Sequence, residues 1–121
     1  MLFPPAGEWP GYSIDDAVAY YRAVAKVLLP HLRNRPMSFR RFVDTVRGEA
    51  FWEKDAPSFT PDRVKRVRVP RRGEGDDDIE YIVVNDVRTL TWVASVGGIE
   101  LHPFLHRMPR LDVATHVVFD L

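Results

Sequence analysis

Residues 13–32 carry a pattern that only one kind of element satisfies. Ile14, Val18, Tyr21, Ala25, Leu28 and Leu32 step by three and four, which aligns them on one face of an α-helix. Ser13 followed three residues later by Asp16 is a capping-box-like start, with Asp in place of the usual Glu. Pro30 has no N–H, so regular helix is expected to end or kink near Leu29. The Tyr21, Ala25 and Leu28 face then needs an apolar surface to cover, and the rest of the chain reads as a sheet.

Residues 37–42 read as a strand carrying Arg40 and Arg41, and 48–54 as a short extended piece centred on Phe51-Trp52. Residues 64–69 and 79–84 are strands rich in β-branched side chains, joined by a long polar loop over 70–78. Residues 86–96 follow a helical pattern through Leu90, Val93 and Ala94, stopped by Gly97-Gly98. The stretch 99–106 is short and mixed. Residues 114–119 are strongly apolar and read as a central, buried final strand. The lead-in 2–12, with its prolines, glycines and aromatics, reads as irregular but packed. Together these give one α+β domain over residues 1–121, with a mixed or antiparallel sheet and flanking helices.

Composition narrows the class. A chain of 121 residues suits one compact domain, and 45% apolar residues suit a globular one. Lys plus Arg equals Asp plus Glu at 17 each, so no whole-chain basic bias marks a nucleic-acid binder. There is no cysteine, which excludes disulfides and thiolate metal sites. The N-terminus lacks a basic n-region and a long apolar run. The expectation is a soluble cytoplasmic protein with no membrane contact.

Four places could carry chemistry, each with a bland reading beside it. Asp120, directly after an apolar run, is placed for a metal ligand or catalytic acid, or merely to cap a turn. Phe51 and Trp52 should face opposite sides of their strand, so the two are not expected to share the core. An exposed ring there could stack on a base, or simply pack. His102 in Glu100-Leu101-His102-Pro103 could meet a phosphate or sugar, or be a structural hydrogen-bonder. His31, His106 and His116 show no zinc-ligand spacing with it. The cations Arg63, Lys65, Arg66, Arg68, Arg71 and Arg72 could contact phosphates. They could equally pair across a hairpin with Glu74, Asp76, Asp77, Asp78 and Glu80. No phosphate-binding loop, dinucleotide fingerprint, nucleophile elbow or metalloprotease helix is present.

Several segments, in order, resemble the polymerase domain of bacterial ligase D, of the archaeo-eukaryotic primase superfamily. They are Leu2-Phe3-Pro4, Tyr20-Tyr21, Val27-Leu28-Leu29-Pro30-His31-Leu32-Arg33, Arg35-Pro36, Arg40-Arg41 and Phe51-Trp52-Glu53-Lys54. They continue with Ala56-Pro57, Val67-Arg68-Val69-Pro70, Leu90-Thr91-Trp92-Val93-Ala94, Ile99-Glu100-Leu101-His102-Pro103 and Val118-Phe119-Asp120-Leu121. The match covers nearly the whole chain but only the first part of the family's domain.

The resemblance implies a template-directed nucleotidyltransferase that extends DNA ends during non-homologous end joining. It implies divalent metal, manganese or magnesium, held by an Asp-x-Asp pair and a later Asp. Asp120 matches the first of these, and the second would fall just past Leu121. Phe51 and Trp52 match an aromatic pair that stacks on template bases, where the family usually has two Phe. His102 matches a His at the incoming nucleotide, and Arg40 a family Lys near the active site. The implied partners are DNA ends, nucleoside triphosphates, a Ku-type protein, a ligase domain or a complementary C-terminal piece.

There are departures. Of two family lysines that grip a 5′-phosphate, one would precede Met1 and the other aligns with Ile14. Glu8-Trp9-Pro10-Gly11 reads as an insertion. Two expectations follow: part of an end-repair primase-polymerase that is inactive alone, or a non-catalytic DNA- or partner-binding remnant of that fold.

Overall fold

A computed structural model describes residues 1–70 and 78–121. The long helix α1 spans Ile14–Leu32 and the short helix α2 spans Val87–Ser95. The strands are β1 Pro36–Phe42, β2 Ala50–Glu53, β3 Lys65–Val69, β4 Ile79–Val83 and β5 Gly98–Pro103. A separate two-stranded ribbon pairs β6 His106–Arg107 with β7 Arg110–Ala114. Every strand pair is antiparallel. The architecture is the expected α+β single domain.

Strand β1 is the axis of the sheet. It pairs with β5 from Met37 to Arg41, with β2 from Phe39 to Phe42, and with β4 at Pro36 and Met37. Strand β3 then lies outside β4. Alternation along β1 sends Met37 and Phe39 to one face and Ser38 and Arg40 to the other. The first face is the core. There Met37, Phe39 and Ile82 meet Tyr21, Ala25 and Leu29 of α1 and Leu90, Val93 and Ala94 of α2. The second face is less covered at Ser38 and Arg40, which are half-buried, while Phe42 farther along the strand packs beside Ala17 of α1.

Local chemistry explains both helix starts. The Ser13 hydroxyl accepts from the Asp16 N–H at 3.1 Å, and the Asp16 carboxylate accepts from the Ser13 N–H at 2.8 Å. The bonds the carboxylate accepts, from the Ser13 N–H and from the Ser13 hydroxyl at 2.9 Å, hold the Asp16 carboxyl below its ordinary value. Asp86 caps α2 by accepting from the Thr89 N–H at 2.7 Å. The Tyr21 phenol reaches from α1 to β5 and donates to the Gly98 carbonyl at 2.8 Å. Burial pushes its pKa up to about 12, so it remains a donor.

Two expectations need correction. At Pro30, where an end or a kink is expected, helix α1 does not end; it runs on to Leu32. Leu32 is buried, and the Arg33 N–H bonds to the Leu29 carbonyl at 3.0 Å, so packing and one closing bond outweigh the donor lost at Pro30. The stretch 114–119 is not a central strand. Only Ala114 is in a strand, in the small ribbon, and Val117, Val118 and Phe119 are exposed, Phe119 by 81%. Apolar composition signalled a need for burial, and the described residues leave that need unmet.

The lead-in forms a small antiparallel turn, with bridges Phe3–Tyr12 and Ala6–Trp9, and Leu2 is fully buried beside Ala17 and Phe42. The residues read as an insertion lie at or beside its tip.

Gly97 ends α2 with φ +83°, and a Cβ there would come within 2.1 Å of the Phe42 carbonyl oxygen. The Gly97 carbonyl also accepts from the Phe42 N–H at 2.9 Å. Gly97→Ala therefore meets both a left-handed backbone and a backbone collision. We expect it to remove about 2–4 kcal/mol of stability, read from urea unfolding. An unchanged unfolding midpoint would contradict this close approach.

Candidate nucleotide-binding face

The Ser38–Arg40 face of the sheet collects residues from three strands. Arg40 lies opposite Trp52 of β2 on one side and Glu100 of β5 on the other. Two residues along, Ser38 lies opposite His102. Strand alternation therefore places Ser38, Arg40, Trp52, Glu100 and His102 on one face.

Their side chains touch. The Trp52 and His102 rings lie 4.6 Å apart at 59°. His102 Nε2 is 2.8 Å from Glu100 Oε1. Arg40 Nη1 is 3.6 Å from Glu100 Oε2. These side chains stay open, at 42% for Arg40 and 44% for both Glu100 and His102. An exposed ring beside cationic donors is the arrangement that stacks a base and holds a phosphate.

Phe51 is elsewhere. It pairs with Arg41 in register and faces the opposite side from Trp52. The Arg41 guanidinium lies 5.5 Å from the Phe51 ring and 5.2 Å from the Phe59 ring, and bonds Glu53 at 3.1 Å. Phe51 and Trp52 are 41% and 51% exposed, so the two do not share the core, as expected, and neither lies in it. As strand adjacency predicts, the pair splits between two faces, so only Trp52 lies on the Arg40 face.

Asp120 lies in irregular, exposed chain after β7. Among the described residues, no group of three or more His, Cys, Asp or Glu side chains converges to hold a metal ion. The described donors alone do not make up a divalent-metal site.

The charged hairpin follows its bland reading where it is described. Arg66 and Arg68 both approach Glu80 across the β3–β4 pair, at 3.5 and 3.6 Å. Arg71, Arg72, Glu74, Asp76 and Asp77 lie outside the described residues.

Two residues escaped the sequence reading. Glu100 was visible only as context for His102, although an i, i+2 pair on a strand must share a face. Arg35 is only 3% exposed. It donates to the Phe104 carbonyl at 2.9 Å and the Thr115 hydroxyl at 2.7 Å, and contacts His116 Nδ1 at 3.2 Å. It thereby ties the start of β1 to the segment leading toward Asp120. Nothing in local sequence separates it from the surface arginines.

Comparison with known proteins agrees with this geometry. Residues 15–121 match the model of the LigD primase-polymerase domain. The multifunctional non-homologous end joining protein LigD of Mycolicibacterium smegmatis is 31% identical over 123 residues, covering 100% of this chain and 15% of that protein. The bifunctional LigD of Bacillus subtilis is 33% identical over 91 residues, covering 74% of this chain and 14% of that protein. The polymerase domain of Mycobacterium tuberculosis ligase D, solved in complex with DNA, superposes with a TM-score of 0.73. It is 29% identical, over 78% of this chain and 32% of that one. The chain thus spans about one-seventh of its full-length relatives, and its open sheet face, its order of elements and these matches lead to one conclusion: it belongs to the LigD primase-polymerase domain family.

Proposed function

We propose that this chain forms the nucleotide- and template-contacting part of a DNA end-repair primase-polymerase of the non-homologous end joining type. One observation carries the reading: Trp52, Arg40 and His102, drawn from three strands, meet on one open face. In this reading Trp52 stacks on a template base, while Arg40 and His102 meet the phosphates of an incoming nucleoside triphosphate. Asp120 supplies one carboxylate for a divalent ion, manganese or magnesium, with other carboxylates from further family residues. A Ku-type protein, a ligase domain or a complementary C-terminal piece are the partners this role calls for, and the cytoplasm its setting.

A second reading has its own support. The described residues assemble no metal-ligand group. A non-catalytic DNA-binding role for the chain by itself therefore accounts for the same aromatic and basic face.

The test is binding of labelled DNA with a single-stranded overhang, by fluorescence anisotropy at low salt. Trp52→Ala is expected to cost about 1–3 kcal/mol of binding energy, the range for one base–aromatic stack. Phe51→Ala, on the other face, is expected to cost less. Binding should weaken steeply as salt rises. Equal, negligible effects of both substitutions would remove the template-stacking role of this face.

A further inference from the structure

We propose that the Glu100 carboxylate is an internal stand-in for a phosphate group, seated on Arg40 and His102 and displaced when a nucleoside triphosphate binds. The inference rests on the reading of Arg40 and His102 as nucleotide contacts, and adds to it a built-in competitor.

The geometry is that of an anion seat already filled from within. One carboxylate oxygen lies 2.8 Å from His102 Nε2 and the other 3.6 Å from Arg40 Nη1. A carboxylate and a phosphate ask the same thing of such donors: two oxygens set against two N–H groups. Register explains why Glu100 alone can reach both. It lies opposite Arg40 across the β1–β5 pair and two residues before His102 on the same strand face. Trp52 covers His102 from the β2 side with ring centroids at 4.6 Å, which fixes where the imidazole sits.

Arg40, Glu100 and His102 remain more than two-fifths exposed, so an anion can reach them from solvent. An exposed ion pair of this kind contributes little to folding. Its consequence for a ligand is larger. The carboxylate occupies the donors an incoming phosphate would use, and its charge repels the phosphate at contact range. A triphosphate brings more negative charge than one carboxylate and so can replace it, while a nucleoside or a single neutral hydroxyl cannot. The seat therefore selects polyanionic nucleotides over uncharged ones.

Binding of ATP and of inorganic tripolyphosphate to the 121-residue chain tests this, without divalent metal and at low salt, by tryptophan fluorescence and calorimetry. Glu100→Gln and Glu100→Ala are expected to tighten both ligands by about three- to tenfold, the scale of removing one unit charge at contact in a mostly aqueous setting. Arg40→Met and His102→Gln should weaken both. A parent chain too weak to measure beside a measurable Glu100→Gln variant also supports the proposal. Unchanged or weaker binding by both Glu100 variants, while Arg40→Met and His102→Gln still weaken it, would overturn the stand-in and leave the nucleotide seat intact. Indifference to Arg40→Met and His102→Gln, or absence of binding in every variant, would overturn the seat itself. Thermal melting of each variant separates these outcomes from misfolding.

Discussion

Phe39→Ala is expected to remove about 3–5 kcal/mol of folding stability, the cost of deleting a buried ring whose site cannot collapse. Phe39 is only 1% exposed and lies at the centre of β1, the strand that every other part of the main sheet except β3 pairs with. Its ring meets Trp92 edge-on at 6.4 Å. It presses so closely on β5 that a Cβ at Gly98 would fall 2.9 Å from its Cδ2. The surrounding groups come from both helices and from the sheet backbone, so few of them can move inward to fill the void. A small domain has about 5–15 kcal/mol to lose in total, so this one substitution should leave a large unfolded fraction. Phe39→Leu keeps most of the volume and should cost about 1.5 kcal/mol or less. Urea unfolding followed by circular dichroism measures both. A loss below about 1 kcal/mol for Phe39→Ala would mean that the ring is not the keystone between helices and sheet. The next residue on the strand is Arg40, so the same variant should also loosen the nucleotide face.

Much of this arrangement was legible because it depends on local periodicity. The Ser13 and Asp16 cap, the stripe through Tyr21 and Ala25, and the β-branched runs in β3 and β4 each announce their element within a few residues. Proximity across strands was not legible. Arg40, Trp52 and Glu100 are separated along the chain and meet only through the register of β1 with β2 and β5. The resemblance to a family pointed to Arg40, Trp52 and His102 singly, and the sheet shows why those three can act together. It also shows that Phe51, their neighbour in sequence, turns to Arg41 and Phe59 instead.

The misreadings have physical causes. Pro30 was judged by the hydrogen bond it lacks, whereas Leu32 beyond it has a core position to fill. Residues 114–119 were judged by hydrophobicity, which measures a tendency to be covered and not what does the covering. Val117, Val118 and Phe119 form an exposed apolar run next to Asp120. Arg35 anchors its near end by bonding Thr115 and His116. A buried guanidinium whose described partners are a carbonyl, a hydroxyl and an imidazole is costly, which suits a fixed anchor better than a surface ornament.

The 121-residue chain by itself is expected not to extend a primer. Phosphoryl transfer of this class depends on positioned charge rather than on covalent chemistry from the protein. Two metal ions about 3.5–4 Å apart need several carboxylates to hold them and to offset the triphosphate. Asp120 is one carboxylate on exposed, irregular chain, and no described residues join it in a metal-holding group. Magnesium- and manganese-type ions bound there would keep mostly water ligands and be held weakly. With Arg40 and His102 holding phosphates as proposed, nucleotide binding and incorporation should separate: the first present, the second absent. The experiment is primer extension with manganese and ribonucleotides, using the chain, its Asp120→Ala variant and a longer chain that adds the remainder of a relative's polymerase domain. Incorporation only in the longer chain, lost there on Asp120→Ala, is the expected result. Extension by the 121-residue chain that disappears in its Asp120→Ala variant would show that one carboxylate suffices and that the reading of incomplete catalysis is wrong.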